Sequence, residues 1–450
     1  MLITIVLNIQ ANLILSLSEL LSDNGSSHWM YAGTAIRMAQ IMRLNKEYHS
    51  RHPEQEREIR RRTFWACLQI DRLLAFSLVK PRTLSLRNVN ISLPANDISL
   101  AYGEKSRGVT LETLATFDGN QSDISIQSYL IRGICIWSDL ADFHVTQERM
   151  VSKLPPTDPS SRFAQLCASL QHWTDSLPPR IQWSEENYRI HLDLNQGTTY
   201  LTIHCLLQSA WCVSHQDYLP QTDEHSILLD YMDSAGWSFL HRESALISTC
   251  ISHAMQVGKL IETYLSSDQD LENQGQSLFL ALAVLSTASP LLWLRYTQDG
   301  HGSEVNKKLA DNYFENYIRL IKSWRGAWDI ANTWLRQLEE MRSLYRFAYL
   351  GIVHDDAHTD ARSKSDTPLN ESPQSPEYRP SPGDGLPPTS ISKNIYSLLR
   401  LNRTANLNLR EEYQSSIWFT LMQGWPQSVD ISAWDESMQE QVPSASMDWQ

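Results

Sequence analysis

Residues 54–79 read EQEREIRRRTFWACLQIDRLLAFSLV, a spacing that permits little except a long, largely buried α-helix. Ile59, Thr63, Ala66, Ile70 and Leu74 recur every three or four positions, which is one inward stripe of a helix. Arg60, Phe64, Cys67 and Asp71 run along the neighbouring line. Pro53 suits a helix start, and Glu54 and Glu56 suit the positive end of the helix dipole. Glu56 to Arg60 and Glu58 to Arg62 are i,i+4 pairs in the favourable order. The triplet Arg60, Arg61, Arg62 is therefore read as two ion pairs plus one arginine buried against a carboxylate. The competing reading is a patch that contacts phosphates.

The preceding segment, 28–45, has the same character. Trp29, Ala32, Ile36 and Ala39 form one apolar line, and Tyr31, Ala35, Met38 and Met42 the next, as on a helix with several neighbours. Gly33 and the alanines are expected to allow close helix approach. Arg37 sits near this face, and a buried arginine needs a partner. The expectation is that Asp71 pairs with Arg37 or with an arginine of the triplet.

Helical spacing continues to about residue 350, over 1–22, 28–45, 54–79, 124–150, 161–177, 196–217, 243–266, 276–296 and 304–346. Breaks fall at SDNGSS, KLPPTDPSS, SLPPRIQW and TQDGHGS. The fold class expected is all-α, a large irregular helical bundle or array over 1–350. Residues 351–393 change composition and read as a disordered Pro/Ser-rich linker, unable to bury enough apolar surface to offset its ordering entropy. The linker holds Thr367, Ser372, Ser375 and Ser381, each followed by proline; they are either kinase acceptors or plain linker composition.

The tail, 394–450, has no Lys or Arg after Arg410. It interleaves acidic residues with Trp418, Phe419, Trp425, Trp434 and Trp449. That pattern fits an activation segment that folds on a partner's groove, and it fits equally a C-terminal helix packed on the main domain.

The net charge of −13 opposes DNA binding by the chain as a whole. The six cysteines, Cys67, Cys135, Cys167, Cys205, Cys212 and Cys250, contain no close pair of the kind a zinc cluster needs. They read as buried free thiols in a reducing, intracellular setting. His204, Cys205, Cys212 and His215 share a helix, but adjacent residues diverge by about 100° on a helix, so core positions are the better reading than a metal site. No G-x-S-x-G, H-E-x-x-H or Gly-rich phosphate loop occurs, and an enzyme is unsupported. Residues 1–21 lack a basic start and read as a core helix rather than a signal peptide. Residues 277–294 fall just short of a membrane span and read as a buried helix bent at Pro290.

Gly33, Ala35, Ile36, Arg37, Met38 and Ala39, then Arg61, Arg62, Thr63, Phe64, Trp65, Asp71 and Arg72, with Leu93 and Pro94 beyond, resemble the fungal-specific transcription factor domain. This is the helical middle region of fungal binuclear zinc-cluster regulators, in the group that includes the xylanolytic-activator type. The resemblance is specific over roughly 10–100 and diffuse over 100–350. The chain departs from it at Val79, Lys80, Pro81, where the family usually has Gly-Arg-Pro, and in TTYLTIHCLLQSAWCV, which lacks a terminal Arg-Pro.

The resemblance implies a nuclear transcription regulator. Its helical part would sense an effector or inhibit, and its tail would recruit transcription machinery or co-regulators. It also implies a small-molecule effector and a homodimer. Zinc binding and DNA contact would belong to an N-terminal module that these residues lack, either through truncation or because the regulator works without its own DNA reader. A helical ligand-binding or protein-interaction module is the alternative.

Overall fold

The computed structural model describes residues 2–23, 27–48, 52–77, 80–103, 108–114, 124–145, 154–216, 219, 243–267, 276–296 and 302–350. The expected linker, 351–393, with its Ser/Thr-Pro sites, and the expected tail, 394–450, with Trp418, Phe419, Trp425, Trp434 and Trp449, lie outside them.

Among the described residues the protein is all-α, with twelve α-helices and one short 3-10 turn at Leu86–Asn88. They are α1 (Leu2–Leu21), α2 (Ser27–Ile41), α3 (Glu54–Ser77), α4 (Asp97–Tyr102), α5 (Ile126–Val145), α6 (Arg162–Asp175), α7 (Glu185–Asp193), α8 (Gly197–His215), α9 (Glu243–Leu265), α10 (Leu278–Tyr296), α11 (Glu304–Ser323) and α12 (Ile330–Leu350). Extended pairing is limited to two isolated bridges, Lys46 with Asn90 and Ala95 with Ile124.

α1 and α2 form an antiparallel hairpin laid on α3, and α3 packs on α5. α8 is the hub: α5, α6, α7, α9 and α10 all touch it. Tyr200, Leu201, Ile203, Cys205, Leu206, Ala210, Cys212 and Val213 are fully buried around its circumference, which leaves it no solvent face. α10 is enclosed the same way by α8, α9, α11 and α12. It is long and apolar enough to cross a membrane by length and composition, yet 89% of its apolar window is buried inside the protein. Its polar residues are satisfied internally. Thr287 shares a 2.8 Å hydrogen bond with the Tyr317 hydroxyl, and Ser289 a 2.9 Å bond with that of Tyr345. Pro290 lies inside the helix, as expected.

α1 is a core helix, as read from the sequence. Ile9 and Leu13 enter the core, and the Gln10 amide donates to Thr63 Oγ1 on α3 at 2.9 Å. Three local expectations need correcting. First, the stretch 304–346 is two helices. Trp324 and Trp328 sit 5.3 Å apart and Trp328 and Trp334 6.2 Å apart by ring centroid. Burying these indoles turns the chain after Ser323 so that α12 packs back on α10 and α11. Second, α4 and α7 were not foreseen. α7 begins with Ser184, whose hydroxyl accepts from the Asn187 N–H, followed by Glu185 and Glu186 in the first turn. Third, a Cβ on Gly33 would meet nothing within 4 Å, so the close packing of α2 rests on Ala32, Ala35 and Ala39.

A glycine that does permit close helix approach is Gly258 on α9, where a Cβ would lie 2.3 Å from Tyr313 Cδ2 and 2.7 Å from Tyr313 Cβ on α11. Gly258→Ala should therefore cost about 1–3 kcal/mol by overpacking. Gly33→Ala should be neutral or stabilising by up to about 1 kcal/mol. Equilibrium urea unfolding of the two variants measures both.

Candidate functional site

The first turns of α3 place Glu54, Glu58, Arg61, Trp65, Leu68 and Arg72 on one line at alternating four- and three-residue spacing. This line faces the extended segment 91–96; Glu58 and Trp65 hold that segment directly, and Arg72 holds the loop before it.

Arg61 is 2% exposed and is the centre of the group. Its Nη1 donates to Glu54 Oε1 at 2.6 Å and to Glu58 Oε2 at 3.2 Å, its Nε donates to Glu47 Oε1 at 2.7 Å, and its Nη2 also reaches Glu47. Burial alone would lower the arginine pKa, but the hydrogen bonds from Glu47, Glu54 and Glu58 outweigh it and raise it. Glu58 is buried too; its Oε1 accepts from Arg62 Nε and from the Ala95 N–H, both at 2.9 Å. Arg62 donates to Ala95 O at 2.9 Å and pairs with Asp97 at 2.7 Å. Glu47 Oε2 accepts from the Ser92 N–H and hydroxyl, each at 3.2 Å. Trp65 Nε1 donates to Ser92 O at 2.7 Å, and Phe64 packs edge-on to the Trp65 ring.

A second knot lies three turns on. Asp71 and Arg72, both buried, pair with each other at 2.5 Å. Asp71 accepts from the Thr83 and Leu84 N–H groups at 2.9 and 3.0 Å, and Arg72 Nη2 donates to Leu84 O at 2.7 Å. The pairing of Asp71 with Arg37 or the triplet is thus overturned. Arg37 is exposed and donates to Gln40 on its own helix, and the Asp71 carboxylate is committed to its sequence neighbour and the returning loop.

Of the two i,i+4 pairs, Glu58–Arg62 forms. Glu56 instead accepts from His52, and the Arg60 guanidinium lies 3.8 Å from the Tyr48 ring centroid. Burial lowers the Arg60 pKa, against the opposing pull of Tyr48 and Glu56. Glu47, whose carboxylate accepts five hydrogen bonds from Arg57, Arg61 and Ser92, was missed. It precedes the helix across a loop, and no periodicity links it to Arg61.

None of this geometry offers a reaction. Arg60 and Arg61 are buried and Arg62 is half-buried, so the triplet presents no free row of cations to a nucleic acid. The histidines of α8 are structural as well: His204 bonds Ile181 O at 2.9 Å and His215 bonds Trp211 O at 2.9 Å. Among the described residues no group of three His, Cys, Asp or Glu converges to hold a metal.

A roomier concavity than either knot lies elsewhere. It is a half-open cleft of about 870 Å³ between α1, α3, α5, the α7–α8 turn and the start of α10. A second depression of about 800 Å³ at the α2–α3 connection carries Arg43, Lys46 and Arg87, all solvent-exposed.

Asp71→Ala should cost about 3–5 kcal/mol, because it strands the buried Arg72 charge and two backbone donors. Arg37→Ala should stay within about 0.5 kcal/mol. Thermal or urea unfolding distinguishes them.

A pH effect has a definite sign. Burial holds His204, His215 and His253 at about 4, against 6.5 for a free imidazole. The unfolded chain therefore binds protons that the folded one refuses. Their contribution to stability is present above pH 6.5 and is lost as the pH falls from there toward 4. The melting temperature should drop across that interval. His204→Gln should blunt the drop.

A model of the fungal specific transcription factor domain matches residues 5–175, a span that begins in α1 and ends with α6. An uncharacterized transcriptional regulatory protein of Schizosaccharomyces pombe is 28% identical over 222 residues, covering 44% of this chain and 22% of the relative. A second such S. pombe protein is 25% identical over 383 residues, covering 76% of this chain and 53% of the relative. A Zn(2)-C6 fungal-type transcription factor of Fusarium oxysporum is 24% identical over 242 residues, covering 50% of this chain and 26% of the relative. The chain thus spans between about a fifth and about half of the length of these curated relatives. No solved structure matches. The matched family and the relatives' names are regulatory rather than enzymatic. Residues 5–175, which contain both arginine–carboxylate knots, match the model of the fungal specific transcription factor domain.

Proposed function

We propose that the chain is a nuclear transcription regulator of the fungal zinc-cluster class. The observation that carries this reading is the match of residues 5–175 to the fungal specific transcription factor domain, joined to relatives named as transcriptional regulators. In this reading the helical part, 1–350, is the regulatory domain. Residues 351–393 connect it to a tail, 394–450, in which Trp418, Phe419, Trp425, Trp434 and Trp449 engage the transcription machinery or a co-regulator. Zinc binding and base recognition are the work of a separate N-terminal module. Two features of the helical part support that division: its arginine motif is turned into the core, and its cysteines are buried or half-buried free thiols, with burial pushing Cys67, Cys135 and Cys167 up to about 12. Thiols held this far up are poor metal ligands.

The test is a reporter assay in a fungal cell. Residues 394–450 fused to an unrelated DNA-binding domain should activate transcription, and Trp418→Ala with Trp434→Ala should remove most of that activity. Fusing the full chain should activate less than the tail alone, because the helical domain restrains the tail. A silent tail contradicts the activation role. Equal activity of tail and full chain contradicts the regulatory one.

A further inference from the structure

The cleft between α1, α3, α5 and α8 is unusual in its chemistry. Among the described residues, none of the 17 that line it is charged, although charged residues make up 20% of the chain. Leu17, Ile70, Leu130 and Phe279 supply apolar wall. Amides and hydroxyls supply the rest. Gln127 Nε2 donates to Thr199 Oγ1 at 3.4 Å, and Ser277 Oγ accepts from the Leu280 N–H at 3.3 Å, so both hydroxyls are positioned and keep hydrogen-bonding capacity. Gln69 on α3 and Gln276 before α10 line the cleft, and their side-chain amides make no hydrogen bond to the described residues. Both are half-buried, with their amides left to whatever occupies the space.

The volume, about 870 Å³, is that of a small-molecule site, and the mixture of apolar wall with a few fixed polar groups is what such sites present. A charged ligand entering would be stripped of water without a counter-ion, which is costly. A purely apolar ligand would leave two glutamine amides unpaired.

We propose that this cleft binds an uncharged amphipathic small molecule, one with an apolar body and several hydroxyl or carbonyl oxygens, and that it is the effector site of the regulatory domain. The effector role rests on the regulatory reading above; the binding does not. Location favours the role. α1, α3 and α5 belong to the 5–175 domain, whereas Thr199, Thr202 and Phe279 come from α8 and α10 beyond it. A ligand here touches both, and occupancy would stabilise their mutual arrangement by mass action.

The experiment uses the purified full chain and n-octyl β-glucoside below its micellar concentration, followed by titration calorimetry. Sodium octanoate (the same tail with a charge) and glucose (the head alone) serve as comparisons. One saturable site for octyl glucoside is expected, with octanoate and glucose each weaker by about tenfold or more. Gln69→Leu combined with Gln276→Leu should weaken the glucoside by about tenfold at unchanged melting temperature. Ala66→Trp, which fills the cleft from α3, should abolish binding. Absence of saturable binding overturns the site. So does octanoate or glucose binding as tightly as the glucoside, or insensitivity to both variants. Binding in vitro with no effect of the variants in the reporter assay leaves the site standing and removes its effector role. A working reporter with no binding overturns the site and its effector role together, and leaves the regulatory reading standing.

Discussion

Arg61 has been taken almost wholly out of water, and three carboxylates receive it: Glu54 and Glu58 from its own helix and Glu47 from the segment before it. An arginine in that position cannot be neutralised by losing its proton, so the chain must keep the carboxylates in place wherever the helix goes. Glu58 and Glu47 each spend their second oxygen on the backbone of the crossing segment, at Ala95 and Ser92. The charge pair thereby fixes which residues of 91–97 lie against α3. Leu93 and Pro94 follow in register: Leu93 enters the core and the Pro94 carbonyl accepts from Ser128 on α5. One buried guanidinium thus sets the relation of α3 to the crossing segment and, through it, to α5. Its value lies in register more than in net stability, since a buried pair recovers little beyond its desolvation cost.

The Asp71–Arg72 pair repeats the device at the other end of α3, holding the loop at Thr83 and Leu84. Between the two knots α3 is nearly all apolar and is buried on most of its circumference. The helices beyond, α8 and α10, use no buried ion pairs. They are enclosed by apolar contact, with hydroxyls tied to tyrosines and imidazoles to carbonyls. The first part of the domain is specified by charge and the later part by packing. That difference matches where the family's recognisable residues lie.

Much of this could be read from the residues. The α3 stripes apart from Ile59, which is exposed at the start of the expected inward line, the Glu58–Arg62 pair, the burial of one triplet arginine against carboxylates and the burial of α10 follow from local spacing. Partners from elsewhere in the chain did not. Glu47 and Ala95 reach α3 across loops whose path no periodicity encodes. Asp71 could be recognised as needing a cation, but not as taking the adjacent one, because residues i and i+1 diverge on a helix and only the returning loop brings both inward. The cleft was invisible for the same reason. Gln69, Gln127 and Gln276 are unremarkable glutamines until five elements bring them to one wall.

The central claim is that the arginine motif is architectural: Arg61 acts through Glu58 and does not face a nucleic acid. A double-mutant cycle on Arg61→Met and Glu58→Gln, read by urea unfolding of the full chain, tests it most directly. Each single variant should lose about 3–5 kcal/mol and the pair should lose clearly less than the sum, a coupling of at least about 1 kcal/mol. Additive, small losses accompanied by weaker salt-dependent binding to duplex DNA would contradict the account and return the motif to the surface.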